Sequence, residues 1–236
     1  MKRQEYLENG LKKIGITVDQ EKQEKMLNFM DLVLRKNQVM NLTAITDEAE
    51  FIELHIIDSL TILNYIPKQT ASFIDIGTGA GFPGMIIKIA KPQLEVTLLD
   101  SLRKRIVFLS ECENELNLNG IYYVHARAEE AGRSSAMRDT FDFAVARAVS
   151  SLPVLNEICL PLVKCSGMFL AMKGKDDPTE FMEGEIVAKK LGAEFQKKVS
   201  LRLPYSGAER NLLLYKKTTP TPKQYPRSMK KIKTVK

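Results

Sequence analysis

Chemical capacity is densest in the stretch Phe73-Ile-Asp-Ile-Gly-Thr-Gly-Ala-Gly-Phe-Pro-Gly84 and in Leu94-Glu-Val-Thr-Leu-Leu-Asp100. An apolar run ends in a glycine-dense turn, and a second apolar run ends in a single acid 23 residues after Gly77. This layout sets a nucleotide-type cofactor at the carboxyl ends of two parallel strands. Gly77 and Gly79 lack a Cβ, so the chain can turn tightly and approach a ligand, and Gly81 carries that freedom to the helix start.

The spacing is G-x-G-x-G. The dinucleotide fingerprint needs glycine at 82, where this chain has Phe82, and Pro83 removes an amide that a pyrophosphate would use. The turn suits an uncharged or zwitterionic ligand, and S-adenosylmethionine fits that description. Asp75 is placed to meet its ammonium, and Asp100 to accept from both ribose hydroxyls. A dinucleotide site and a glycine turn with no ligand are the competing readings. After a third strand comes Val124-His-Ala-Arg-Ala-Glu-Glu130, where Ala128 and Glu129 offer a backbone donor and a carboxylate to an adenine edge. Alternatively, Glu129 and Glu130 open a solvated helix.

The fourth strand, Phe141-Asp-Phe-Ala-Val-Ala-Arg-Ala148, bears on the reaction. It lacks the Asp/Asn-Pro-Pro-aromatic motif that serves exocyclic base amines. The nearest cysteines, Cys159 and Cys165, lie in or after an apolar helix and read as structural rather than as the nucleophile that pyrimidine C5 methylation needs. A nucleophile that loses no proton remains, such as the N7 of guanine, and catalysis then rests on alignment in a desolvated pocket. Arg147 ends this strand, where it could recognise guanine or phosphate, hold the cofactor, or pair with a neighbouring acid.

The elements that must position these residues follow from periodicity. Residues 1–66 read as a helical cap, with Asp47 or Thr46 capping a helix that Pro67 ends. Strands are predicted at 72–76, 94–99, 121–125, 141–146 and 167–172, and helices at 84–90, 103–117 and 151–164. A further helix at 178–191, ended by Gly192, precedes a hairpin of Glu194–Leu203 and Glu209–Tyr215. The expected fold is α/β: a class I methyltransferase, Rossmann-like, with a mostly parallel seven-stranded sheet. The predicted units are a cap (1–66), a cofactor-binding domain (67–215) and a basic tail (216–236).

The chain has 236 residues, 44% hydrophobic, enough to build this core unaided. Three cysteines without C-x-x-C and two scattered histidines, His55 and His125, point to a reduced, metal-free, cytoplasmic protein. Neither a signal peptide nor a membrane span is expected. Residues 216–236 hold eight of the 35 Lys and Arg and none of the 29 acids, which leaves the rest of the chain at net −2. With three prolines, this tail is expected to be extended or disordered when free, serving as a polyanion-binding arm or merely as a solubilising terminus.

These residues resemble the bacterial small-subunit rRNA guanine-N7 methyltransferases, also known as glucose-inhibited division protein B. The match runs through Asn41-Leu-Thr-Ala-Ile, His55-Ile-Ile-Asp-Ser59, the glycine turn to Gly84, Leu98-Leu-Asp-Ser-Leu-Arg-Lys-Arg105, Ala126-Arg-Ala-Glu-Glu130, Ala146-Arg-Ala148, Met172-Lys-Gly174 and Tyr225-Pro-Arg227. The resemblance implies S-adenosylmethionine as donor, 16S rRNA or the small subunit as partner, and cofactor contacts at Gly77, Phe82, Ala128, Glu129 and Arg147. Gly79, Gly81 and Asp100 join them on the physical argument. Arg105, Lys173 and Arg227 are RNA-contact candidates, each equally readable as a solvated charge. His55 and Asp58 read as a contact between cap and main domain, and a monomer is expected. A small-molecule methyltransferase with an incidental basic tail, and a non-enzymatic RNA-binding module, are the alternatives.

Overall fold

The computed structural model describes residues 2–66, 69–147 and 150–233; the predicted helix stop at Pro67 and the strand end at Ala148 lie outside them. Seven strands form one sheet in the order β3-β2-β1-β4-β5-β7-β6. They are β1 (Ser72–Ile76), β2 (Glu95–Asp100), β3 (Ile121–His125), β4 (Phe141–Arg147), β5 (Val163–Lys173), β6 (Ala193–Arg202) and β7 (Glu209–Lys217). The first five run parallel, and β7 lies antiparallel between β5 and β6. Strand order reverses between β1 and β4, the position where open α/β sheets bind ligands beyond their carboxyl ends.

The central strands feed two cores because their side chains alternate between faces. Phe73 and Val145 point into one, with α1 (Arg3–Lys13), α2 (Gln20–Asn37), α5 (Gly84–Ala90) and α6 (Arg103–Glu115). Ile74, Ile76, Ala144 and Ala146 point into the other, with α8 (Leu152–Cys159) and α9 (Pro178–Lys190). The N-terminal helices share the first core with the sheet rather than standing apart. Asp47 caps α3 (Glu48–Phe51) by accepting from the Glu50 amide at 2.9 Å. That helix widens into a π-helical turn, Ile52–Ile57, before α4 (Asp58–Leu60). Such widened turns are concentrated at functional sites, and this one carries His55. A short α7 (Ala128–Ala131) follows β3.

The expectation of an extended or disordered tail is corrected. Lys217 is fully buried and donates to Asp139 at 2.8 Å. Arg138 donates to the carbonyls of Thr221 (2.6 Å) and Tyr225 (2.7 Å), and Arg133 to that of Pro226 (2.8 Å). Arg227 makes a two-pronged pair with Glu157 of α8, Nε to Oε1 at 2.8 Å and Nη2 to Oε2 at 2.6 Å. Ile232 of α10 (Met229–Lys233) is buried in the second core. A run of positive charge without an acid gives no hint of this, because the partners of Lys217 and Arg227 are carbonyls and carboxylates 54 to 78 residues away.

The Glu157 side chain is 1% exposed, so Arg227→Ala strands a buried carboxylate. The expected loss in urea unfolding free energy is about 3 kcal/mol, the lower end for a broken buried pair, because Arg227 is partly solvated and the amide of residue 227 still donates to Glu157. New tryptic cleavage within 218–233 should accompany it. Native stability and native protease resistance in the variant would show that the tail is not anchored there.

Candidate functional site

The glycine turn is built on two carboxylates. Asp75 is fully buried beneath it, and its Oδ2 accepts from Thr78 Oγ1 (2.6 Å) and from the Gly84 amide (2.8 Å). Burial pushes its pKa up to about 6 against the pull of those two donors. Asp75 thus holds the turn closed from below and is not among the residues lining the cleft above it, where an ammonium was expected to meet it. Asp100 at the end of β2 accepts from the Gly79 amide through Oδ2 (3.0 Å) and from the Leu102 amide through Oδ1 (2.8 Å). It joins the turn to the second strand and still lines the cleft.

That cleft, about 290 Å³, lies over the carboxyl ends of β1, β2 and β4. Gly77, Asp100, Ala128, Glu129 and Arg147 line it together with Arg105. Gly77 and Gly79 both adopt positive φ, +72° and +60°. Three of the expected cofactor residues, Gly79, Gly81 and Phe82, are not among those lining it. A Cβ on Gly81 would meet Leu109, Met85 and Phe29 within 2.9 Å, so this glycine admits helix packing rather than a ligand. The Phe82 ring is 4% exposed and packs between His55, Phe51 and Phe29. The close-packing glycine that the dinucleotide pattern would place at 82 is found at Gly84, where a Cβ would press on Asp75 and Leu98.

Arg147 forms the wall between this cleft and a second pocket of about 360 Å³. Its Nη1 donates to Leu54 O (2.9 Å) and Asp58 Oδ2 (3.2 Å), its Nη2 to His55 Nδ1 (3.1 Å), and the guanidinium lies 5.5 Å from the Phe82 ring centre. The His55 ring stacks on Phe82 at 4.6 Å and 11°. Because arginine only donates, His55 Nδ1 accepts, and the ring proton sits on Nε2, which donates to Thr43 Oγ1 at 2.8 Å. Burial, then the Arg147 charge, lowers the His55 pKa to about 3, so the imidazole stays neutral. His55 and Asp58 do join the cap to the sheet, through Arg147.

The three RNA-contact candidates separate. Arg105 lines the first cleft, with Nη1 3.4 Å from Asp100 and a buried Nε that has no partner among the described residues. Arg227 is committed to Glu157, as described above, and anchors the tail. Lys173 donates to Glu180 (2.7 Å) and Ser150 O (3.1 Å) and lines the second pocket. Two contributors carried no sequence signal. Met229 lines the cleft because the tail folds back, and Arg210 donates through Nε to Asp58 Oδ1 at 2.8 Å across 152 residues.

The family profile for GidB, rRNA small subunit methyltransferase G, matches residues 22–213. The chain belongs to the GidB family. A ribosomal RNA small subunit methyltransferase G from Acetivibrio thermocellus is 45% identical, covering 96% of this chain and 93% of its own. One from Alkaliphilus metalliredigens is 42% identical over 94% and 93%. Solved structures at lower identity share the fold alone. TYW2 of M. jannaschii in complex with AdoMet is 14% identical with a TM-score of 0.53, over 69% of this chain and 76% of that one. A mutant 16S rRNA adenine methyltransferase from Catenulisporales acidiphilia is 13% identical with a TM-score of 0.54, over 64% and 86%.

For this GidB-family chain, the neutral His55 has a pH signature. The unfolded chain binds a proton at position 55 below about pH 6.5, and the folded chain only near pH 3. Stability therefore falls as pH drops through that window, by at most about 1.4 kcal/mol per unit. Asp75, raised to about 6, works in the opposite sense between about 3.8 and 6 and does so in both chains. In urea unfolding series, His55→Gln should lose the His55 share of the acid slope relative to the native protein. Parallel curves would show that His55 is not held neutral.

Proposed function

We propose that this protein transfers a methyl group from S-adenosylmethionine to N7 of a guanine in the 16S rRNA of the small ribosomal subunit. The observation that carries the reading is Arg147, which in a GidB-family chain forms the common wall of the cleft over β1, β2 and β4 and a second pocket. Bound S-adenosylmethionine supplies a sulfonium methyl, which the N7 lone pair takes by forming the N–C bond while the C–S pair stays with sulfur. No proton moves, so no general base is needed, and the neutral His55 is not asked to be one.

The residues present fit that donor. Asp100 and Glu129 give carboxylate acceptors at the end of β2 and at the start of α7, suited to ribose hydroxyls and the adenine amine. The unpartnered Nε of Arg105 gives a buried donor to the same cleft. Gly77 brings backbone to the cleft without a side chain, Gly79 is braced beside it by Asp100, and Arg147 closes the side that faces the second pocket. What the chain itself supplies is alignment and exclusion of water. In this reading residues 67–215 form the methyltransferase unit, and residues 1–66 supply the acceptor side.

The test is methyl transfer from radiolabelled S-adenosylmethionine to 30S subunits and to naked 16S rRNA from cells lacking this protein, followed by nucleoside analysis. Label is expected in 7-methylguanosine. Label in another nucleoside contradicts the argument from β4, and no label contradicts the acceptor class. Asp100→Ala removes both an acceptor and the brace on the Gly79 amide. Calorimetric titration with S-adenosylhomocysteine should show affinity lowered about tenfold or more, equivalent to about 1.4 kcal/mol. Unchanged affinity would place the cofactor elsewhere.

A further inference from the structure

We propose that the pocket beyond Arg147 is the acceptor-base site, and that Arg210 selects there a purine bearing a hydrogen-bond acceptor at C6. The proposal rests on the methyl-transfer reading above and names the groups that read the base. The walls of the pocket are apolar, from Ile45 and Leu54 of the N-terminal layer and Met172 of β5. A volume of about 360 Å³ falls within the range of small-molecule sites.

The polar groups that face this space are donors. Arg147, Arg210 and Lys173 line it, and none can accept a hydrogen bond. The one carboxylate, Asp58, is 4% exposed and has each oxygen engaged by a guanidinium: Oδ1 takes Arg210 Nε at 2.8 Å and Oδ2 takes Arg147 Nη1 at 3.2 Å. His55 Nδ1 is likewise taken by Arg147. Arg210 uses Nη1 on Glu209 O at 2.9 Å, and its Nη2 has no hydrogen bond among the described residues. A ligand entering here meets fixed donors against an apolar wall.

That pattern discriminates between purines. Guanine presents two acceptors on this edge, N7 and O6, whereas adenine presents N7 and a donor amine. N7 must stay clear for the incoming methyl, so O6 is the atom left for a guanidinium to bind. The amine of adenine would face donors and leave them unpaired, which is how polar sites reject close analogues. Asp58 does a second job, because the purine gains positive charge as N7 is methylated and the carboxylate offsets part of the two guanidinium charges beside it.

Two substitutions test this without touching the cofactor cleft. A Cβ at Gly174 meets nothing within 4 Å, and the residue lines the pocket, so Gly174→Phe has room at its Cβ and is expected to occupy the pocket. Arg210→Ala removes the proposed reader. Both variants should bind S-adenosylhomocysteine within about twofold of the native protein. Methyl transfer to 30S subunits should fall about 100-fold in Gly174→Phe and at least about tenfold in Arg210→Ala, with Arg210→Lys between Arg210→Ala and native. A role for Arg210 in structure alone would not change base preference, so binding of guanosine and adenosine 5′-monophosphates is measured by NMR with S-adenosylhomocysteine bound. The native protein should prefer the guanosine nucleotide by about tenfold or more, and Arg210→Ala should bring the ratio near one. Native transfer by Gly174→Phe, or no preference in the native protein, overturns the assignment. Absence of 7-methylguanosine with the native enzyme overturns the functional reading instead, and the two failures are read in separate experiments.

Discussion

A buried guanidinium governs the architecture of this protein. Arg147 ends the fourth strand with its side chain 15% exposed, and a charge so placed must be met by acceptors. None of those acceptors belongs to the sheet. They are Leu54 O, His55 Nδ1 and Asp58 Oδ2, all from the π-helical turn and the helical turn after it. The widened turn brings these groups to one point, and the stack of His55 on Phe82 fixes their level. Beside the apolar core they share, the N-terminal layer is therefore tied to the sheet by the same residue that divides the first cleft from the second pocket. Buried ion pairs contribute little net stability but fix position, since removing one member leaves the other uncompensated. Here the position they fix is that of the wall between two pockets.

The C-terminal segment shows a related constraint with opposite charge logic. Its lysines and arginines read as an arm for a polyanion, yet Lys217 and Arg227 are held by Asp139 and Glu157. Its backbone carbonyls are in turn gripped by Arg133 and Arg138. The consequence reaches the site, because the folded-back tail delivers Met229 to the edge of the cofactor cleft.

How much could be read from the sequence follows from the range of each interaction. The β-α alternation is legible because strand and helix periods are local: β1, β3 and α5 begin and end where the pattern places them. The glycine turn and Asp100 are legible because spacing along two short segments determines their meeting. Gly81 and Phe82 belong to the same motif but turn to the helical layer, since their surroundings are Phe29 and Phe51 from helices far earlier in the chain. The Arg210–Asp58 and Arg227–Glu157 pairs span 152 and 70 residues, and no local pattern announces them. The π-helical turn is silent for another reason: its sequence, Ile52-Glu-Leu-His-Ile-Ile57, is equally good as ordinary helix, and packing decides.

A crystal structure with S-adenosylmethionine bound would show whether the methyl group is set to pass Arg147 from one cleft to the other. The adenosine is expected between Asp100 and Glu129, with the sulfonium methyl directed past the Arg147 guanidinium into the pocket lined by Leu54 and Met172. A methyl group facing away from that pocket, or an adenosine bound outside the Asp100 cleft, would contradict it.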